Sequence, residues 1–365
     1  MARSHSRRRK GPTRPADGDL SRPGAPQGTD RPDTVMAAVD LGTNNCRMLV
    51  AHPNAQDFAV VDSFSRITRL GEGLSGSGRL SKAAMDRTVE ALKSCAEKMD
   101  RCGVTNSRHV ATEACRRADN CDDFIGRVAE ETGIVFEIIS ADEEAGLALK
   151  GCKSLIDPDV PYAVIFDIGG GSTEVLFVKI EAVQDAQSAQ DMEILGCISM
   201  PLGVVTVAED CGGGDLCERT YEEVGSRVAR LLHPFEQMHG IADRIIAGEA
   251  QMIGTSGTVT TLGAIHLGLP RYDRTAVDGI TLDFETLTGH SRALCKMSLQ
   301  ERAAEPCIGW QRADLVLGGC AILEAICGLW PVGHLRVADR GLREGMLMDM
   351  LQSTGTQQTA SVAPE

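Results

Sequence analysis

Two apolar runs, Tyr162 to Phe166 and Val175 to Val178, flank the stretch Asp167-Ile168-Gly169-Gly170-Gly171-Ser172-Thr173-Glu174. Glycine lets a backbone reach positive φ and bring its N–H groups close to a ligand, so a strand, a glycine-rich turn and a second strand read as a pocket for phosphate oxygens. Asp167 at the mouth of that pocket suits a metal ion. A plain hairpin is the competing account, but such a turn needs one or two glycines, not three followed by hydroxyls.

The same unit occurs upstream. Val39 to Val50 aligns without gaps onto Phe166 to Phe177, pairing Asp40 with Asp167, Gly42 with Gly169 and Asn45 with Ser172, 127 positions apart. That period is too long for a solenoid repeat and predicts two duplicated domains, each offering one phosphate loop to a shared cleft. Two facing loops, each with a strand-end carboxylate, fit a phosphorylated ligand and a divalent cation.

The chain has 365 residues, enough for two domains with sizeable cores. No apolar run approaches the roughly 20 residues of a membrane span, and the arginine-rich start lacks the apolar stretch of a secretory signal, so a cytoplasmic protein without a membrane partner is expected. Thirteen cysteines without a Cys-x-x-Cys pair resemble small core residues in a reducing compartment. Residues 1–33, with Arg7-Arg8-Arg9-Lys10 and much Pro and Gly, are expected to form a disordered basic arm. The rest carries 29 Lys and Arg against 47 Asp and Glu. So acidic a body argues against a specific nucleic-acid partner.

Between the two loops, Met85, Val89, Leu92, Ala96 and Met99 recur at helical spacing after Ser81, a candidate N-cap, which predicts a helix over 82–102. His109 to Thr112 predicts a strand leading into Glu113-Ala114-Cys115-Arg116, where Arg116 either aims its fork at phosphate or forms a surface ion pair. Val135 to Ile139 predicts another strand. Ser140 and Glu143 have capping-box spacing, which leaves Glu144 to point elsewhere as a candidate general base for water. Further on, Gly254 to Gly257 opens a helix whose free N–H groups either face an anion or serve only packing. The apolar run from Asp314 to Trp330 predicts a buried helix.

Six segments then occur together and in order: Asp40-Leu41-Gly42-Thr43-Asn44, Ala111-Thr112 with Arg116, Ile139-Ser140 with Glu143-Glu144-Ala145, Asp167 to Glu174, Gly254 to Thr258, and Gly341-Leu342-Arg343-Glu344-Gly345. In this the chain closely resembles the exopolyphosphatase/guanosine pentaphosphate phosphohydrolase (Ppx/GppA) family of the actin-like ATPase superfamily, over roughly Val35 to Leu351. The resemblance implies an α/β fold of two ribonuclease H-like domains with a cleft between them. In that cleft a Mg²⁺-dependent enzyme would cut the terminal phosphoanhydride of polyphosphate or of guanosine pentaphosphate, pppGpp. It also implies Glu144 as the catalytic carboxylate, Asp167, Glu174 and Asp40 as the acids that hold the metal, and Asn45, Arg116, Gly169, Gly170 and Ser172 at phosphate. The closing helix would pack back onto the first domain, and no C-terminal helical module of the HD type is expected.

The expected domains are 34–141 with 335–352, and 142–334, followed by a disordered tail over 353–365. A homodimer is compatible with the sequence. Exopolyphosphatase is the expected activity, with pppGpp 5'-phosphohydrolase as the alternative; a superfamily kinase and a noncatalytic polyphosphate or (p)ppGpp sensor are the competing classes.

Overall fold

The computed structural model describes residues 34–54, 57–181, 192–212 and 216–360, and the expected basic arm lies outside them. Strands β1 (Met36–Leu41), β2 (Asn45–Pro53), β3 (Phe58–Ile67), β4 (Asn106–Ala111) and β5 (Glu137–Ile138) form one sheet, in the order β3-β2-β1-β4-β5. A second sheet contains β6 (Tyr162–Ile168), β7 (Thr173–Ile180), β8 (Met192–Met200), β9 (Ala250–Thr255), β10 (Thr281–Asp283) and β11 (His334–Ala338), in the order β10-β11-β9-β6-β7-β8. Each sheet begins with three antiparallel strands, and its first strand then pairs parallel with a later one, β4 or β9. The duplication read from two loops therefore extends to whole sheets.

It extends to register as well. Asp40 lies opposite Arg47 and Leu41 opposite Cys46, as Asp167 lies opposite Glu174 and Ile168 opposite Thr173. Each turn is closed by one bond of the same kind, Gly42 N–H to the Asn45 carbonyl and Gly169 N–H to the Ser172 carbonyl, both 2.9 Å.

Strand alternation puts apolar side chains on both sides of each sheet, which is what helices on both faces require. Along β1, Ala37, Val39 and Leu41 join one core with Val89 and Leu92 of the Lys82–Cys102 helix, whose N-cap is Ser81 as the sequence predicts. Met36 and Ala38 face the other way, onto Leu342, Met346 and Leu347 of the Leu342–Ala360 helix. The closing helix thus packs on the first lobe. The Ala141–Cys152 helix serves both lobes, sending Leu147 into that core and Ala145, Leu149 and Cys152 into the core under β6 and β7.

These two helices cross at backbone distance. A Cβ built on Gly345 would lie 2.0 Å from the Leu147 carbonyl oxygen, and one on Gly151 would lie 2.0 Å from that of Gly341.

Three expectations about boundaries need correction. Residues 335–338 were grouped with the first domain, yet β11 pairs parallel with β9, so the chain returns to the first lobe only with the helix that follows Gly341. That helix continues to Ala360, through part of the expected disordered tail. The strand expected over 135–139 shrinks to Glu137–Ile138, because only Val110 and Ala111 of β4 pair with it. Among the described residues no helix is long and apolar enough to cross a membrane.

Candidate active site

Both glycine-rich loops line one cleft of about 440 Å³, and both are held from behind. At the second loop, the N–H groups of Val204 and Val205, which begin the Val204–Asp210 helix, donate to the carbonyls of Gly169 (3.0 Å) and Gly170 (2.8 Å). A trans peptide sets its N–H opposite its C=O. Pinning those carbonyls therefore turns the N–H groups of Gly170 and Gly171 the other way, toward the cleft, and neither has a hydrogen-bond partner among the described residues. At the first loop the Gly71 N–H holds the Thr43 carbonyl at 2.9 Å, which turns the Asn44 N–H in the same manner.

The loops also touch. A Cβ on Gly170 would meet the Asn44 nitrogen at 3.0 Å, and one on Gly171 would meet Thr43 Oγ1 at 2.7 Å. Glycine is needed there for close approach. Thr43 Oγ1, Asn44 Oδ1 and Asn45 Oδ1 are buried without a hydrogen-bond partner. Such groups are costly unless something polar meets them.

The carboxylates gather behind the loops. Asp40 and Asp167 line the cleft at equivalent strand ends. Burial raises the pKa of both, and Asp167, further raised by repulsion from Glu174 and less so from Asp40 against the pull of Arg47, reaches about 7. Glu174 itself does not line the main cleft; it lines a small adjoining space with Glu144 and Asp167, and accepts from Ser199 Oγ at 2.8 Å. Its pKa too is raised by burial, against hydrogen bonds from the Ser172 and Ser199 hydroxyls.

Glu144 sits in the first turn of the Ala141–Cys152 helix. The Ser140 side chain caps that helix by accepting from the Glu143 N–H at 3.1 Å, but the expected capping box is only half formed. Glu143 turns its carboxylate to Arg108 instead, at 2.6 Å. Glu144 faces the cleft, where burial and the neighbouring Glu174 push its carboxyl well up, more than Arg116 pulls it down.

Arg116 was expected at phosphate. Its described bonds are all internal: to Glu113 at 3.1 Å, to the Ile139 carbonyl at 3.0 Å and to Glu144 at 2.8 Å, and it does not line the cleft. It stands behind Glu144. Of the other expected residues, Asp40, Asn45, Glu144, Asp167, Gly169, Gly170 and Ser172 reach the cleft, and Glu174 reaches only the small adjoining space.

Sequence reasoning missed the cations that share the cleft. Arg47, Arg312 and Arg343 line the cleft, and none makes an ion pair or a side-chain hydrogen bond among the described residues. Burial lowers the pKa of Arg312 and Arg343; repulsion from Arg47 lowers both further, and at Arg343 the neighbouring Glu344 pulls the other way. Three half-buried guanidinium groups, with Arg47 repelling the other two, form a site for a multiply charged anion. Arg47 could have been found, since it occupies the position of Glu174 in the repeated unit; Arg343 lies in the Gly341 segment. Arg312 had no such signal.

Acids and cations thus interleave in the site: Arg47 lies across the hairpin from Asp40, and Arg47 and Arg343 both pull on Asp40 and Asp167. No group of three or more His, Cys, Asp or Glu side chains among the described residues is placed to hold a metal ion. The clustered carboxylates with raised pKa and the orphaned loop oxygens nevertheless fit a hard divalent cation, which takes few protein ligands and keeps several waters.

The model of the Ppx/GppA phosphatase family matches residues 49–354. The chain is 30% identical over 303 residues to exopolyphosphatase 2 of Mycobacterium tuberculosis (strain H37Rv), covering 80% of this chain and 90% of that protein. It is 29% identical over 318 residues to the guanosine-5'-triphosphate,3'-diphosphate pyrophosphatase of Aeromonas salmonicida, covering 86% of this chain and 59% of that one. Among solved structures, an exopolyphosphatase-like protein superposes with a TM-score of 0.77 at 27% identity, over 87% of this chain and 97% of the other. The Aquifex aeolicus Ppx/GppA family member does so with a TM-score of 0.68 at 25% identity, over 88% and 98%.

Proposed function

The chain belongs to the Ppx/GppA phosphatase family, and on that premise we propose that it hydrolyses phosphoric anhydrides, releasing the terminal phosphate of inorganic polyphosphate and, as a second substrate, of pppGpp. One observation carries the proposal: Glu144, braced by Arg116, faces the same cleft as both glycine loops and three unpaired arginines. Phosphoryl transfer asks the protein mainly for positioning and charge. The N–H groups of Asn44, Gly170 and Gly171 would orient the terminal phosphate, while Arg47, Arg312 and Arg343 neutralise the chain behind it. Glu144 takes a proton from water as its oxygen bonds to the terminal phosphorus and the anhydride P–O bond breaks. The shortened chain leaves with the bridging oxygen. Asp167, with Asp40 and Glu174, would hold Mg²⁺, whose positive charge offsets that of the phosphate oxygens.

A second cavity adjoining the cleft, with Tyr272 and Trp310 in its lining, supports pppGpp as a substrate. The test is phosphate release from long polyphosphate, short polyphosphate and pppGpp, in parallel, with Mg²⁺. Release from none of them, with tight binding retained, would leave a sensor; phosphate transfer from ATP to an acceptor would leave a kinase.

A further inference from the structure

Ser65, Tyr272 and Arg312 line the cleft and also line an adjoining cavity of about 560 Å³ between β3 and the 306–312 segment. The ligand path therefore runs past Arg312 into a compartment of different character. Its walls include Ile67, Pro306, Ile308 and Trp310 on one hand and Arg66, Gln311 and Arg312 on the other. Phosphate oxygens can pair with the guanidinium groups of Arg66 and Arg312 there but gain nothing from the apolar wall. A planar base covers that wall and stacks beside a guanidinium.

Trp310 is 64% exposed, and no ring or guanidinium stacks on it among the described residues. Its segment is held firmly. The buried Arg302 donates to the Ala313 carbonyl at 3.0 Å, and Arg69 of the first lobe donates to the Gln311 carbonyl at 3.2 Å and to Asp314 at 3.0 Å. An indole on a fixed support beside an arginine is the usual platform on which proteins stack a nucleobase.

We propose that this cavity takes the base and ribose of a purine nucleoside polyphosphate, with the base on Trp310, while its terminal phosphate lies at Glu144. The proposal rests on the hydrolase reading for the phosphate end only. Inorganic polyphosphate would use the cleft without this cavity, so the nucleoside end distinguishes the two substrates.

The chain has two tryptophans, and the other, Trp330, is fully buried, so a change in fluorescence on stacking belongs to Trp310. Titration of the full-length protein with pppGpp, without Mg²⁺, should quench tryptophan emission, and inorganic tripolyphosphate should not. In steady-state assays Trp310→Ala should raise KM for pppGpp about tenfold, the reach of one lost base stack, and leave that for polyphosphate within about twofold. Trp310→Phe, which keeps an aromatic face, should restore most of the loss. Equal quenching by tripolyphosphate, or equal effects of Trp310→Ala on both substrates, would overturn the subsite. Quenching by pppGpp without phosphate release from any substrate would uphold it and overturn the hydrolase reading instead.

Discussion

Arg116 donates to Glu144 at 2.8 Å from the side away from the cleft, while Arg108 holds the adjacent Glu143 at 2.6 Å on the protein surface. Successive helical residues point about 100° apart, so one helix start separates a surface ion pair from a cleft carboxylate. Glu143→Gln keeps the Ser140 cap and gives up a half-exposed pair, worth below about 1 kcal/mol, so its rate should stay near that of the parent. Glu144→Gln keeps the shape and loses the proton acceptor, and kcat should fall by about 10² to 10⁴. Phosphate release by the two variants decides the assignment; a dead Glu143→Gln beside a live Glu144→Gln would reverse it.

Arg116 should behave as a positioning residue. If its bonds to Glu144 and Glu113 are its role, Arg116→Ala lowers kcat and leaves KM nearly unchanged, whereas a phosphate ligand would show first in KM. Removing a cation raises the pKa of the carboxyl it touched. Glu144 is a base only when ionised, so the acidic limb of the pH–rate profile should move to higher pH and activity should partly recover there. A variant with raised KM and an unmoved profile would return Arg116 to phosphate.

The fold was legible because the duplication was written into the chain: Asp40-Leu41-Gly42 and Asp167-Ile168-Gly169 head identical hairpins, and strand alternation fixed which side chains went inside. Helix starts were legible where a hydroxyl cap marked them, as at Ser81 and Ser140. Partners remote in sequence were not. Nothing local to Glu143 says that Arg108 waits 35 positions upstream, and nothing local to Arg116 says that the Ile139 carbonyl and Glu144 will take its donors. Arg312 escaped notice for the same reason. It lies in an irregular segment, and only the folded cleft brings it beside Arg47.

Asp167 tests the cation. In the absence of metal, burial and repulsion from Glu174 hold its carboxyl near neutrality, at about 7, so a bound divalent cation should lower it strongly. Asp167→Asn supplies a neutral oxygen in place of a charged one. It should raise the Mg²⁺ concentration needed for half-maximal activity and lower the maximal rate together, and EDTA should abolish turnover by the parent enzyme. Full activity of either protein in EDTA would remove the metal from this site.

The crossing of the Ala141–Cys152 and Leu342–Ala360 helices is the feature that sets Glu144 against Arg343, because each residue lies within one turn of the contact. Gly345 allows it: a Cβ there would stand 2.0 Å from the Leu147 carbonyl oxygen, an atom of helical backbone that cannot rotate aside. Gly345→Ala must therefore part the two helices, and overpacking of this kind costs about 3 kcal/mol, at the upper end of the usual range. For a chain of this length that lowers the melting temperature by roughly 4 °C. Gly146→Ala is the matched control, since Gly146 lies on the same Ala141–Cys152 helix with nothing within 4 Å of its added Cβ. There alanine only improves helix propensity and should stabilise by up to about 1 kcal/mol. Thermal unfolding of the two variants should move in opposite directions, and phosphate release should fall in Gly345→Ala alone, because the displaced helix carries Glu144 away from the loops. If both variants melt at or above the parent temperature, the helices are not in backbone contact, and something other than this crossing fixes the distance between Glu144 and the arginines.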